Sequence, residues 1–162
     1  MTWSLWLLPC AQDAMTLQRT CDQLCDEQGM ERFPVHLTVL SGINGERDHL
    51  QNIAQSIHCV NSDACGDGVH TEEKFYRCVF LRVNSENIHV LQQQAQRAFG
   101  MGKIPPILHI SLAYGEVPRE TREHLVTRIT KLPSNITFDR LQLVRTDGHY
   151  TTWEYLPPTP LA

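Results

Sequence analysis

No stretch of this sequence approaches the roughly 20 consecutive apolar residues that a membrane-spanning helix requires. Basic residues are in the minority as well, 14 Lys and Arg against 18 Asp and Glu, for a net charge of −4. The chain therefore lacks the Lys- and Arg-rich stripe of a duplex binder. Long nucleic acid is not expected as a partner, whereas a small phosphate ester held at one local site remains compatible with the charge. The opening Trp3-Ser4-Leu5-Trp6-Leu7-Leu8 has no basic residue before it, is too short for the apolar segment of a secretory signal, and stops at Pro9. It reads as a buried strand, and the protein as cytoplasmic or nuclear.

Cysteine, by contrast, is plentiful for such a compartment: Cys10, Cys21, Cys25, Cys59, Cys65 and Cys78. Cys21 and Cys25 sit at helical spacing in an amphipathic stretch, and Cys78 lies in a strand-like run, so these three read as buried free thiols. Cys59 and Cys65 flank a glycine-rich loop and are candidates for a disulfide, among the 15 connectivities that six cysteines allow. With 41% hydrophobic and 20% charged residues, the 162-residue chain can bury a core of ordinary size, either as one domain or as two lobes sharing one core.

The most informative feature is internal repetition. His36-Leu37-Thr38-Val39-Leu40-Ser41-Gly42 and His109-Ile110-Ser111-Leu112-Ala113-Tyr114-Gly115 follow one pattern, 73 positions apart. Each sets a histidine and a hydroxyl residue on one face of a strand, with Leu37 and Val39, or Ile110 and Leu112, on the other face. The same offset lays Leu5-Trp6-Leu7-Leu8 over Cys78-Val79-Phe80-Leu81, two short apolar runs that read as central strands. A helix follows each run. The first carries Leu17, Cys21, Leu24 and Cys25, with Asp13 as the expected N-cap. The second carries Ile88, Leu91, Ala95, Ala98 and Phe99 between Ser85 and Gly100. Further helices are expected around Leu50, Ile53, Ala54 and Ile57, and from Pro118 through Leu125, Val126 and Ile129. Strand material closes each half, at Val69 to Glu73 and at Ile136 to Arg145, with Thr151 to Tyr155 beyond and an extended proline-rich tail from Pro157.

The expected architecture is α+β and two-lobed: an N-terminal half of about 1–73 and a C-terminal half of about 74–156, each an antiparallel sheet with helices on its outer face, followed by a tail at 157–162. A pseudo-twofold arrangement would set the two histidine strands side by side and face both histidines and both hydroxyls into one groove. A lone histidine is more often structural than catalytic. Two matching tetrads at equivalent places in a duplicated chain are improbable by chance.

The chemistry open to such a groove follows from the residue types. A histidine titrates near pH 6.5, so one of a pair can be neutral while the other is charged. The neutral imidazole takes a proton from water attacking phosphorus, and the imidazolium protonates the leaving oxygen on the opposite side. Thr38 and Ser111 would hold the non-bridging oxygens. No metal and no cofactor is required.

At this point the chain resembles the 2H phosphoesterase superfamily, which is marked by two His-x-Thr/Ser tetrads in a duplicated small domain. Within it the resemblance is to the plant and yeast cyclic nucleotide phosphodiesterases linked to tRNA splicing. It runs through Ser4-Leu5-Trp6-Leu7-Leu8-Pro9, Phe75-Tyr76-Arg77-Cys78-Val79-Phe80-Leu81, His109 to Tyr114, Leu141 to Asp147 and Thr152-Trp153-Glu154. The resemblance implies hydrolysis of ADP-ribose 1″,2″-cyclic phosphate to ADP-ribose 1″-phosphate, and of nucleoside 2′,3′-cyclic phosphates to nucleoside 2′-phosphates. It also implies that Trp6, Tyr76 and Tyr114 line the site, Trp6 and Tyr76 from neighbouring strands as surfaces for a base. Val35 and Leu108 stand directly before the histidines, where the family often has proline. The segment from His58 to His70 departs from the family and is expected to gate access. The expected partner is a small cyclic phosphate nucleotide, bound by a monomer.

Three other readings compete. A 2′-5′ RNA ligase type acting on RNA 2′,3′-cyclic ends would carry more basic residues around its groove. A zinc site of His58, Cys59, Cys65 and His70 has permissible ligand types but the spacing of no common module. A non-catalytic nucleotide binder would be expected to have lost one of the four tetrad residues.

Overall fold

The apolar run at the start of the chain forms β1 (Thr2–Pro9), with Trp3, Leu5 and Leu7 fully buried. In the computed structural model, which describes residues 1–58 and 61–161, it is followed by α1 (Ala11–Glu27), β2 (Leu37–Asn44), α2 (Arg47–Ser56) and β3 (Ser62–Thr71). The order then repeats as β4 (Val79–Asn84), α3 (Glu86–Phe99), β5 (His109–Ala113), α4 (Arg119–Thr127) and β6 (Asn135–Arg145). Two short strands, β7 (Glu154–Tyr155) and β8 (Thr159–Pro160), line the outer edge of β6. The helices form near where the 3.6-residue stripe predicts, although α2 ends at Ser56 and α4 at Thr127, short of Ile57 and Ile129, and Ala98 of α3 is exposed. α1 buries Leu17, Cys21, Leu24 and Cys25, and α3 buries Ile88, Leu91, Ala95 and Phe99. Ser85 caps α3 by accepting from Ile88 N–H at 3.3 Å, and Gly100 ends it in the left-handed region at φ 67°. Asp13 is not a cap. Cys10 precedes the helix, and the Asp13 carboxylate instead accepts from Thr137 N–H at 2.8 Å, tying α1 to β6.

All pairings are antiparallel, and the order β1-β2-β5-β4-β3-β6 closes on itself because β6 also pairs with β1. The third strand of each repeat is exchanged: β3 pairs with β4, and β6 pairs with β1. The helices follow, α1 packing on β5 and α3 on β2. The single register pair between β2 and β5 is Leu37 with Ile110, themselves repeat equivalents, so the pseudo-twofold axis passes between them. Beyond that pair the two strands part.

The segment around residues 62–71 is therefore not a gating loop. Its backbone is hydrogen-bonded to β4 on one side and β6 on the other. Cys65 Sγ donates to Asn135 Oδ1 from within this strand, while Cys59, invoked for a disulfide or a zinc site, lies outside the described residues. Among the described residues no helix is long and apolar enough to cross a membrane.

Candidate active site

Extended backbone fixes the site. In β2, Leu37 and Val39 are fully buried in the core, so Thr38 and the preceding His36 face the opposite way. In β5, Ile110 and Leu112 are buried, so His109 and Ser111 do the same. All four line one cavity of about 340 Å³, together with Trp6, Tyr76 and Tyr114. The structure thus gathers the two histidines, the two hydroxyls and the three aromatics at one place, whereas Cys65 and His70 of the alternative zinc reading lie apart in β3.

The two histidines are held by the same local device. His36 Nδ1 lies 2.7 Å from the Pro34 carbonyl oxygen and His109 Nδ1 lies 2.9 Å from that of Ile107, each two residues upstream. A carbonyl only accepts, so both Nδ1 atoms donate and each Nε2 is left as the free position. The surroundings then differ. The His36 ring lies flat on the Trp6 indole, centroids 3.3 Å apart and planes 3° from parallel, whereas His109 meets the Phe80 ring edge-on at 5.5 Å. Trp6 sits opposite Thr38 in the register of β1 and β2, and Phe80 sits opposite Ser111 in that of β4 and β5, so the two aromatics are structural counterparts.

Burial holds His36 down to about pKa 3; the Pro34 bond opposes this and nearby His109 adds to it. His109 is also lowered, first by burial and then by Arg77, against the raising effects of the Ile107 carbonyl and Glu72. Arg77 and Glu72 form an ion pair at 2.7 Å behind it. No Asp, Glu, Lys, Arg or Cys among the described residues lines the cavity, so its formal charge is set by the imidazoles alone. Two histidines without a carboxylate or thiolate are a poor donor set for a metal ion. Among the described residues no group of three or more His, Cys, Asp or Glu side chains is placed to hold one.

The hydroxyls are not equivalent. Ser111 Oγ donates to the Tyr76 carbonyl at 2.6 Å, whereas the Thr38 hydroxyl has no partner among the described residues. The aromatics also part ways. Trp6 is 1% exposed, with one face taken by His36 and Trp153 and Tyr155 edge-on at 5.8 Å, so it is a platform for the histidine and not a surface for a base. Tyr114 is buried against Phe33, ring centroids 3.6 Å apart, and burial raises its phenol well above the usual range. Tyr76 stands on a turn of 3₁₀ helix (Phe75–Arg77), not on a strand, and is 44% exposed.

Sequence reasoning left out Ser4, Ser41, Pro105, Thr146 and Trp153, which complete the lining. Ser4 was within reach, being one pleat from Trp6 on the same strand face; its Oγ lies 3.2 Å from Thr146 Oγ1. Trp153, tilted 33° to the Tyr76 ring at 5.6 Å, lies in the run read as a strand from Thr151, but a turn of 3₁₀ helix (Tyr150–Thr152) precedes it and brings it to the cavity. Ser41 is reached by the segment before β5: its backbone pairs with Lys103, an approach that depends on Gly102, where a Cβ would stand 2.7 Å from Leu40.

No protein-family model matches the chain, and no curated protein matches it. Among solved structures, TT0787 of Thermus thermophilus matches with a TM-score of 0.63 at 16% identity, covering 99% of this chain and 98% of that one. Escherichia coli LigT, complexed with 3′-AMP, matches with a TM-score of 0.60 at 10% identity, covering 99% and 97%. A structure described as a phosphoesterase matches with a TM-score of 0.55 at 11% identity over 99% and 97%. The α+β architecture expected from the two tetrads is the fold of these proteins, from one end of the chain to the other.

Proposed function

We propose that this protein is a phosphoesterase of the 2H type that opens cyclic phosphodiesters by two-histidine acid–base catalysis. The observation that carries the reading is the pair of imidazoles in one cavity, each with Nδ1 fixed to a backbone carbonyl and Nε2 free. His36, the more desolvated, is neutral and removes the proton from the attacking water. His109, edge-on to Phe80 and near Glu72, carries the proton delivered to the leaving ribose oxygen. When the ring has opened, the proton has moved to His36 and left His109, and exchange with solvent restores the pair. Thr38, whose hydroxyl has no partner among the described residues, donates to a non-bridging oxygen. Tyr76 and Trp153, at the exposed side, offer faces to the nucleoside.

The substrates are nucleoside 2′,3′-cyclic phosphates, opened to 2′-phosphates, and ADP-ribose 1″,2″-cyclic phosphate, opened to ADP-ribose 1″-phosphate. The uncharged lining supports a small molecule over a polynucleotide. The protein acts as a monomer without metal, and E. coli LigT, which shares the fold, is a precedent only for a nucleotide complex.

The test is incubation of the purified protein with 2′,3′-cyclic AMP, ADP-ribose cyclic phosphate and an RNA ending in a 2′,3′-cyclic phosphate, all in EDTA, with products identified by chromatography. Hydrolysis of the small substrates to the named products supports the reading. No turnover of any of them, or turnover that requires added metal, contradicts it.

A further inference from the structure

A second cavity, of about 440 Å³, shares no lining residue with the first and backs onto the same turn. Phe75 and Gly115 line it, next in sequence to Tyr76 and Tyr114, and Gly115 N–H donates to the Phe75 carbonyl at 2.8 Å. Its floor holds Arg122, which is 8% exposed. Arg77 is equally buried and pairs with Glu72, but Arg122 has no carboxylate partner among the described residues. Its Nη1 donates to the Val117 carbonyl at 2.7 Å, and its Nε is buried with no hydrogen-bond partner among the described residues. Buried guanidinium groups are ordinarily paired with an anion.

The start of α4 opens onto the same space. Its first intrahelical bond runs from Arg122 N–H to the Pro118 carbonyl, so the amides of Arg119, Glu120 and Thr121 have no helical acceptor, and Pro118 supplies no side-chain cap. An unpaired buried arginine beside an uncapped helix N-terminus is the arrangement that takes an oxyanion. The exposed part of the lining carries both signs, Glu73 and Glu116 against Lys74 and Arg119, and Glu72 is paired with Arg77, so the Arg122 guanidinium is the buried charge left for an anion to meet.

We infer that this cavity is a binding site for a small oxyanion, a carboxylate or a phosphate, held by Arg122 and the α4 amides, separate from the catalytic cavity. The experiment is an amide NMR titration of the whole protein with acetate and, separately, with inorganic phosphate. Acetate should shift the amides of Arg119, Glu120 and Thr121 saturably. Phosphate should shift the same amides, and should also act on residues around His36 and His109. Arg122→Gln, checked for an otherwise unchanged spectrum, should abolish the acetate response and leave the phosphate response near the histidines. Absence of a saturable acetate response in the wild-type protein overturns the site, a result that needs no variant to fold. A response of these amides to either anion that survives unchanged in folded Arg122→Gln overturns the role of the guanidinium.

Discussion

The imidazole of His36 and the indole of Trp6 lie face to face, 3.3 Å between centroids. This contact removes one face of the histidine from water and, with the Pro34 carbonyl, fixes the direction of Nε2. Trp6→Ala should therefore lower kcat, by about 10²-fold if the ring is displaced on the order of 1 Å. It should also bring the His36 pKa up toward its ordinary 6.5, because the burial that depresses it is lost. Trp6→Phe should retain most of both. NMR titration of His36 and steady-state kinetics read the two effects, and an unchanged His36 pKa in Trp6→Ala would show that the stack is not its environment.

Both histidines are depressed, so the active window of the free protein is displaced to the acid side of neutrality. His36 is neutral above about pH 3, and His109 keeps its proton only below a pKa lying under 6.5. kcat/KM should peak below pH 6.5 and fall above it. The falling limb of kcat should lie at higher pH, because bound phosphate favours the imidazolium. A kcat/KM profile that rises steadily through the alkaline range would contradict the assignment.

The same burial links stability to pH. Between about pH 6.5 and 3 the unfolded chain binds a proton at His36 that the folded chain does not. Stability is thus lost as pH falls through that window, by about 1.4 kcal/mol per pH unit from this group. Urea unfolding from about pH 6.5 to about pH 5, above the carboxylate range, should give a shallower slope for His36→Gln than for the wild type. Equal slopes would mean that His36 is protonated in the folded protein.

Thr38 and Ser111 occupy equivalent places but differ in what they have left to donate. Thr38→Ala should cost about 10²–10³ in kcat, as for loss of one transition-state donor. Ser111→Ala frees the Tyr76 carbonyl and loosens the turn that presents the Tyr76 ring, so its larger effect should fall on KM. Kinetics of the two single variants separate the roles, and matched losses in kcat alone would make the hydroxyls equivalent after all.

Much of this was legible because the repeat is written in alternation. The offset that superposes His36 on His109 also makes Leu37 and Ile110 the pair at the axis, and it superposes β3 on β6. What the pattern hid was imposed from outside the segment. The part of β3 before Val69 reads as a loop because only Ser62 and Ala64 of the strand's residues are buried; neighbours on both sides make it a strand. The exchange of β3 and β6 likewise leaves no local mark. The offset aligns Trp6 with Val79, but an irregularity between Val79 and Phe80 moves the counterpart position one residue on. Phe80 therefore takes the place beside His109, which the sequence alone did not assign.

A double-mutant cycle measures directly whether His36 and His109 form one acid–base couple. His36→Ala and His109→Ala should each lower kcat/KM for 2′,3′-cyclic AMP by about 10²–10⁴ while binding of the product 2′-nucleotide largely survives. The double variant should lose far less than the product of the two single losses, since residues acting as a unit are non-additive. Alanine at His49, His58, His70, His89, His124 or His149 should leave turnover within a few-fold. Independent, multiplicative losses, or a folded single variant at His36 or His109 that retains wild-type turnover, would contradict the couple.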